Sequence, residues 1–125
     1  MNTLELVNHI SDVYEKLTKF TNIKVANLVE TGKWNGCQIV VSTLGTLENF
    51  CNHKKPIDLS ELKVIVIDEV DLFFQDDDHK KALKGLNESV FIKRNTKIQW
   101  LFFSTTYPKN AIDEVSKIVK EAATI

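Results

Sequence analysis

The stretch Lys63-Val64-Ile65-Val66-Ile67-Asp68-Glu69-Val70-Asp71 decides the fold. Its run of β-branched apolar residues predicts a strand that is apolar on both faces, as in a parallel sheet covered by helices. The run then stops abruptly in acids, which sets Asp68, Glu69 and Asp71 at the carboxyl edge of the strand. Ligands of open α/β sheets bind outside that edge. Residues 98–103, Ile-Gln-Trp-Leu-Phe-Phe, read as a second apolar strand and end in Ser104-Thr105-Thr106. Two strands thus bring carboxylates and hydroxyls to one rim, where a hydrogen bond from Ser104 or Thr106 to Asp71 is expected. The competing reading gives 104–106 to capping the helix that opens at Pro108.

Working outward, Leu6, Val7, Ile10, Val13, Tyr14 and Leu17 recur at helical spacing, predicting a helix over 4–20 with Thr3 as N-cap. Strands are expected at 23–29 and 38–42, separated by a turn over 32–36. A short helix over 45–52 closes before Pro56. A further helix over 78–90 has Ala82, Leu83, Leu86 and Val90 on one side. The last helix turns Ile112, Val115, Ile118 and Val119 inward. Strands alternating with helices predict an α/β fold, a parallel sheet of about four strands with helices on both faces.

Composition narrows the functional classes. The 125 residues are 43% hydrophobic and 26% charged, ordinary for one globular domain or part of one. A net charge of −1 gives no global attraction to nucleic acid or membrane, so any RNA contact is local. No apolar run approaches the roughly 18 residues of a membrane helix. Cys37 and Cys51 lack metal spacing, as in a reduced, intracellular protein. Asp76-Asp77-Asp78 reads as a solvated loop; a metal site with His79 is the alternative.

Four motifs carry a resemblance. Asp68-Glu69-Val70-Asp71 resembles the D-E-A-D signature, and Ser104-Thr105-Thr106 the S-A-T motif. Thr43-Leu44-Gly45-Thr46-Leu47 is similar to T-P-G-R-L, and Thr3-Leu4-Glu5-Leu6 to the end of P-T-R-E-L. In this order they resemble the first RecA-like domain of DEAD-box RNA helicases. The tract 58–71 and Arg94-Asn95-Thr96 resemble the mRNA-export branch.

The resemblance implies that Asp68 supports Mg²⁺ through water and that Glu69 orients or deprotonates the attacking water. It implies that Asp71, Ser104 and Thr106 couple ATP state to RNA unwinding. Thr3, Thr43, Gly45 and Thr46 would face RNA, touching backbone without reading bases. ATP and Mg²⁺ would serve the complete domain. Implied partners are RNA, a second RecA-like domain and helicase regulators, with no membrane. The implied location is cytoplasmic, extending to the nucleus or nuclear envelope.

The chain departs from the pattern in an informative way. It holds no Gly-x-x-x-x-Gly-Lys-Ser/Thr loop: Gly32-Lys33 is followed by Trp34 and lacks the earlier glycine. Residues 1–125 are therefore expected to form a partial, RecA-like (P-loop NTPase) domain lacking the Walker A strand and loop. Such a chain would bind ATP and Mg²⁺ poorly and hydrolyse nothing alone. The absent strand would leave a gap or apolar edge beside 63–67, favouring marginal stability or self-association. Leu4 and Thr46 stand where arginines are usual, Leu44 replaces proline, and Thr105 and Val70 replace alanines. Val70 is expected to crowd its turn by roughly 1 kcal/mol. These losses support a second reading, a degenerate non-catalytic paralogue binding RNA or protein, with Trp34 either an interface anchor or tucked over the sheet edge. A third treats Asp68–Asp71 as a protease tetrapeptide, which would need an extended, accessible strand.

Overall fold

A computed structural model describes residues 3–88 and 98–119. The chain divides into two compact units, Met1–Ile57 and Asp58–Ile125. Val90 and residues 94–96, named above, lie outside the described residues.

In the first unit, α1 (Thr3–Thr18) precedes β1 (Val25–Asn27), α2 (Leu28–Thr31), β2 (Ile39–Val41) and α3 (Leu44–Cys51). Strands β1 and β2 pair in parallel, with Val25 opposite Ile39 and Asn27 opposite Val41. Helix α1 packs on both strands and buries Val7 and Ser11. Thr3 sits in the first turn of α1 rather than ahead of it.

The expected strand over 23–29 stops at Asn27, and Leu28–Thr31 is a helical turn. Asn27 ends the strand because its carboxamide oxygen accepts from the N–H groups of Val29 and Glu30, both at 3.1 Å. Its Nδ2 donates to Asn8 Oδ1 on α1 at 2.8 Å, and Gly32 closes the turn at φ 60°. Replacing Asn27 with alanine removes the cap and the tie to α1 together. We expect a loss of about 0.5–2 kcal/mol, read as a lower urea midpoint. An unchanged midpoint would show the cap to be energetically silent.

The second unit holds β3 (Val64–Ile67), α4 (Val70–Phe73), α5 (Asp77–Glu88), β4 (Gln99–Phe102) and α6 (Lys109–Ile118). Strands β3 and β4 are parallel and in register from Val64 opposite Gln99 to Ile67 opposite Phe102. The core gathers Ile67, Val70, Phe74, Leu83, Leu86, Ala111 and Val115. Asp76 caps α5, accepting from Asp78 N at 2.8 Å. Among the described residues no cluster of His, Cys, Asp and Glu is arranged to hold a metal, which removes the alternative reading of that tract.

The described strands pair in parallel, β1 with β2 and β3 with β4, as the α/β expectation requires. On β3, Val64 and Val66 are exposed at 43% and 49% while Ile67 is buried. Ile112 is 49% exposed, because α6 buries the row begun by Ala111 and Val115, whose small first member gave no signal. Val70, where crowding was expected, is fully buried in the core.

Candidate functional site

The site grows from the ends of β3 and β4. The ladder continues past the strands: Phe103 N donates to Ile67 O at 2.9 Å, and Val70 N to Phe103 O at 3.1 Å. These two bonds hold residues 68–71 against residues 103–106. Ser104 Oγ donates to Asp71 Oδ1 at 2.6 Å, and Thr106 Oγ1 donates to Asp71 Oδ2 at 2.8 Å. Ser104 Oγ also accepts from Asp71 N at 3.2 Å. The hydrogen bond anticipated from Ser104 or Thr106 is thus made by both. Capping of α6 is not their task, since Pro108 occupies the N-cap position with no side-chain cap.

Asp68 and Glu69 are disposed differently. Asp68 is exposed, and its Oδ1 accepts from Glu69 N at 2.8 Å. Glu69 adopts φ 53°, ψ 48°, a left-handed conformation that costs an L-residue about 1–2 kcal/mol. No sequence signal announced it, because glycine or asparagine is the usual marker. The turn carries the chain from β3 directly into α4, so residues 68–71 are not extended. That geometry removes the reading of this tetrapeptide as a protease substrate.

Asp68, Glu69 and Asp71 stand within four positions, and none is ion-paired to a described lysine, arginine or histidine. Among the described residues the rim is therefore a negative patch. Thr105 is exposed, and its hydroxyl makes no bond to Asp71.

The hydrogen bonds of Ser104, then of Thr106, hold the Asp71 carboxyl below the ordinary aspartate value of 3.8. A carboxyl depressed by folding stabilises the fold above its unfolded value and loses that contribution as pH falls through the folded value. Acidification from pH 5 through the range below 3.8 should therefore destabilise the native chain more than Asp71→Asn. Asp58 and Asp76 are lowered as well, so the difference between the two chains is the informative quantity. Parallel acid curves in urea titrations would refute the coupling.

In the first unit, Thr43 is the N-cap of α3: its Oγ1 accepts from Thr46 N at 3.2 Å and donates to Thr46 Oγ1 at 2.9 Å. Gly45 is exposed, and an added Cβ would meet no atom within 4 Å. The side chain of Thr3 is outside the described residues.

Residues 1–115 match the family described as DEAD/DEAH box helicase. The chain is similar to the mouse ATP-dependent RNA helicase DDX19A, 31% identical over 125 residues, covering 95% of this chain and 25% of that protein. It is also similar to DEAD-box ATP-dependent RNA helicase 38 of Arabidopsis thaliana, at 30% identity over 134 residues, with 95% and 26% covered. The chain thus spans about a quarter of the length of these relatives. Among solved structures it superposes on a variant of S. cerevisiae Dbp5 bound to Gle1 and IP6, with TM-score 0.83, 24% identity, and 97% of this chain and 31% of that one covered. A hypothetical ATP-dependent RNA helicase from Sulfolobus tokodaii gives TM-score 0.72, 26% identity, and coverage of 95% and 36%. The fold is that of RecA-like helicase domains, and the relatives belong to the mRNA-export branch that residues 58–71 resemble.

Proposed function

This chain belongs to the DEAD/DEAH box helicase family, and on that footing we propose that it is part of an ATP-dependent RNA helicase, inactive as these 125 residues alone. The observation that carries the reading is the pairing of Asp71 with Ser104 and Thr106 beside the carboxylates of Asp68 and Glu69, neither ion-paired to a described residue. Asp68 supports Mg²⁺ through water: one oxygen is engaged by Glu69 N, and among the described residues no group of three His, Cys, Asp or Glu is placed to cage the ion directly. Glu69 orients the attacking water and accepts its proton. Asp71, Ser104 and Thr106 transmit nucleotide state to the RNA surface, since a change at one strand end is felt at the other through two short bonds.

RNA lies along Thr3, Thr43, Gly45 and Thr46. The hydroxyls of Thr43 and Thr46 are tied to each other, so the contact there falls chiefly to first-turn backbone N–H groups and phosphate. Binding of that kind is independent of sequence. A second RecA-like domain of the same protein and regulators of the kind bound to Dbp5 are the protein partners. Among the described residues no helix is long and apolar enough to cross a membrane, in keeping with cytoplasmic residence extending to the nucleus or nuclear envelope.

The second reading, a non-catalytic paralogue that binds RNA or protein, is favoured by Leu4 and Thr46 in place of arginines. Calorimetric titration of the 125-residue chain with Mg²⁺-ATP separates the two. Weak or no saturation, together with tight binding and turnover once a Walker loop segment is fused ahead of residue 1, supports the helicase reading. A fused chain that folds and still binds no nucleotide supports the paralogue.

A further inference from the structure

We propose that a hollow between Trp34 and the end of α3 is a base-stacking subsite for single-stranded RNA, an inference that rests on the RNA-facing reading of α3. The hollow has a volume of about 310 Å³ and is lined by Trp34, Asn49, Phe50, His53 and Lys55. Two aromatic residues are among its lining, which offers chiefly apolar surface. Every base has a π-face, so aromatic walls hold a nucleotide without reading its identity.

The rim has the charge such a ligand needs. Lys55 is part of the lining and makes no ion pair with a described residue. His53 Nδ1 accepts from Lys55 N at 3.3 Å, which leaves Nε2–H as the donor of that ring. No carboxylate lines the hollow. The hollow thus sets one cation, free of ion pairs among the described residues, beside apolar surface, matching a stacked base with a phosphate beside it.

Continuity with α3 favours RNA over an acidic peptide. Thr43, Thr46 and Phe50 recur at helical spacing and so share one stripe of α3. From Thr43 to Asn49 the helix rises about 9 Å, a short step along a nucleic-acid strand. A strand held by its backbone at the start of α3 therefore reaches the hollow within a nucleotide or two. The turn that sets Trp34 is fixed by Gly32 at φ 60°, where an added Cβ would lie 3.7 Å from the Phe50 ring.

The experiment compares a short fluorescent oligouridylate with an abasic ribose-phosphate oligomer of equal length, by anisotropy at low salt on the 125-residue chain. The native chain should bind the oligouridylate more tightly, by on the order of 5- to 100-fold. Trp34→Ala should abolish that difference while leaving the abasic affinity unchanged, and Trp34→Phe should largely restore it. Should Trp34→Ala fail to fold, quenching of a 2-aminopurine base by the native chain reads the same contact. Equal affinity of the native chain for both oligomers, or no quenching, overturns the subsite and leaves the helicase reading standing. Failure to bind either oligomer overturns the RNA-facing reading of α3 as well. Trp34-dependent binding of an acidic aromatic peptide, without base-dependent RNA binding, overturns the subsite in favour of a protein interface.

Discussion

Glu69→Gln is expected to lower ATP turnover by about 10²–10⁴-fold in a complete family member whose matching segment is replaced by residues 1–125. Glutamine keeps the size and hydrogen-bonding reach of glutamate but cannot accept the proton of the attacking water. Binding of Mg²⁺-ATP should stay close to that of the unsubstituted chimera, because the substitution leaves Asp68 in place. Asp68→Asn should weaken Mg²⁺-dependent nucleotide binding and turnover together. Single-turnover hydrolysis with separate nucleotide titrations distinguishes the two roles. A Glu69→Gln chimera turning over at the unsubstituted rate would remove Glu69 from the chemistry.

The largest loss of stability is expected at Phe74. Its side chain is 2% exposed, its ring meets Phe73 edge-on at 5.3 Å, and its N–H closes on Val70 O at 3.1 Å. Phe74→Ala should cost about 3–5 kcal/mol, a transfer loss plus the cavity left behind. Whole domains are stable by only about 5–15 kcal/mol, so the substitution would remove a large share of that margin. Helix α4, which carries Asp71, would lose its anchor, and the pairing with Ser104 and Thr106 would go with it. Leu72 on the same turn is 44% exposed and serves as the control. Leu72→Ala should shift the urea midpoint only slightly, and equal losses at the two positions would refute the placement of Phe74 in the core.

Much of this arrangement was legible in the residues. The apolar strand ending in acids and the next ending in hydroxyls predicted that Asp71 would meet Ser104 or Thr106, because a parallel register leaves little freedom at the strand ends. The helix expected over 45–52 is α3, Leu44–Cys51, but Thr43 as its N-cap was not read. The turn at Leu28–Thr31 was missed although Asn27-Leu-Val-Glu30 followed by Gly32 is a capping pattern; the apolar alternation of the neighbouring residues outweighed it. The exposure of Val64 and Val66 could not be read, since burial depends on what covers a face rather than on the face itself. The left-handed turn at Glu69 was hidden because the chain uses a residue with no affinity for it.

That turn sets durability against chemistry. Glycine at position 69 would relax the backbone and make the bend out of β3 easier to form. It would also delete the carboxylate that the bend displays at the rim. A polypeptide tuned only to stay folded would have little reason to keep glutamate in such a conformation, so this position ties part of the fold's instability to the reaction proposed for the rim.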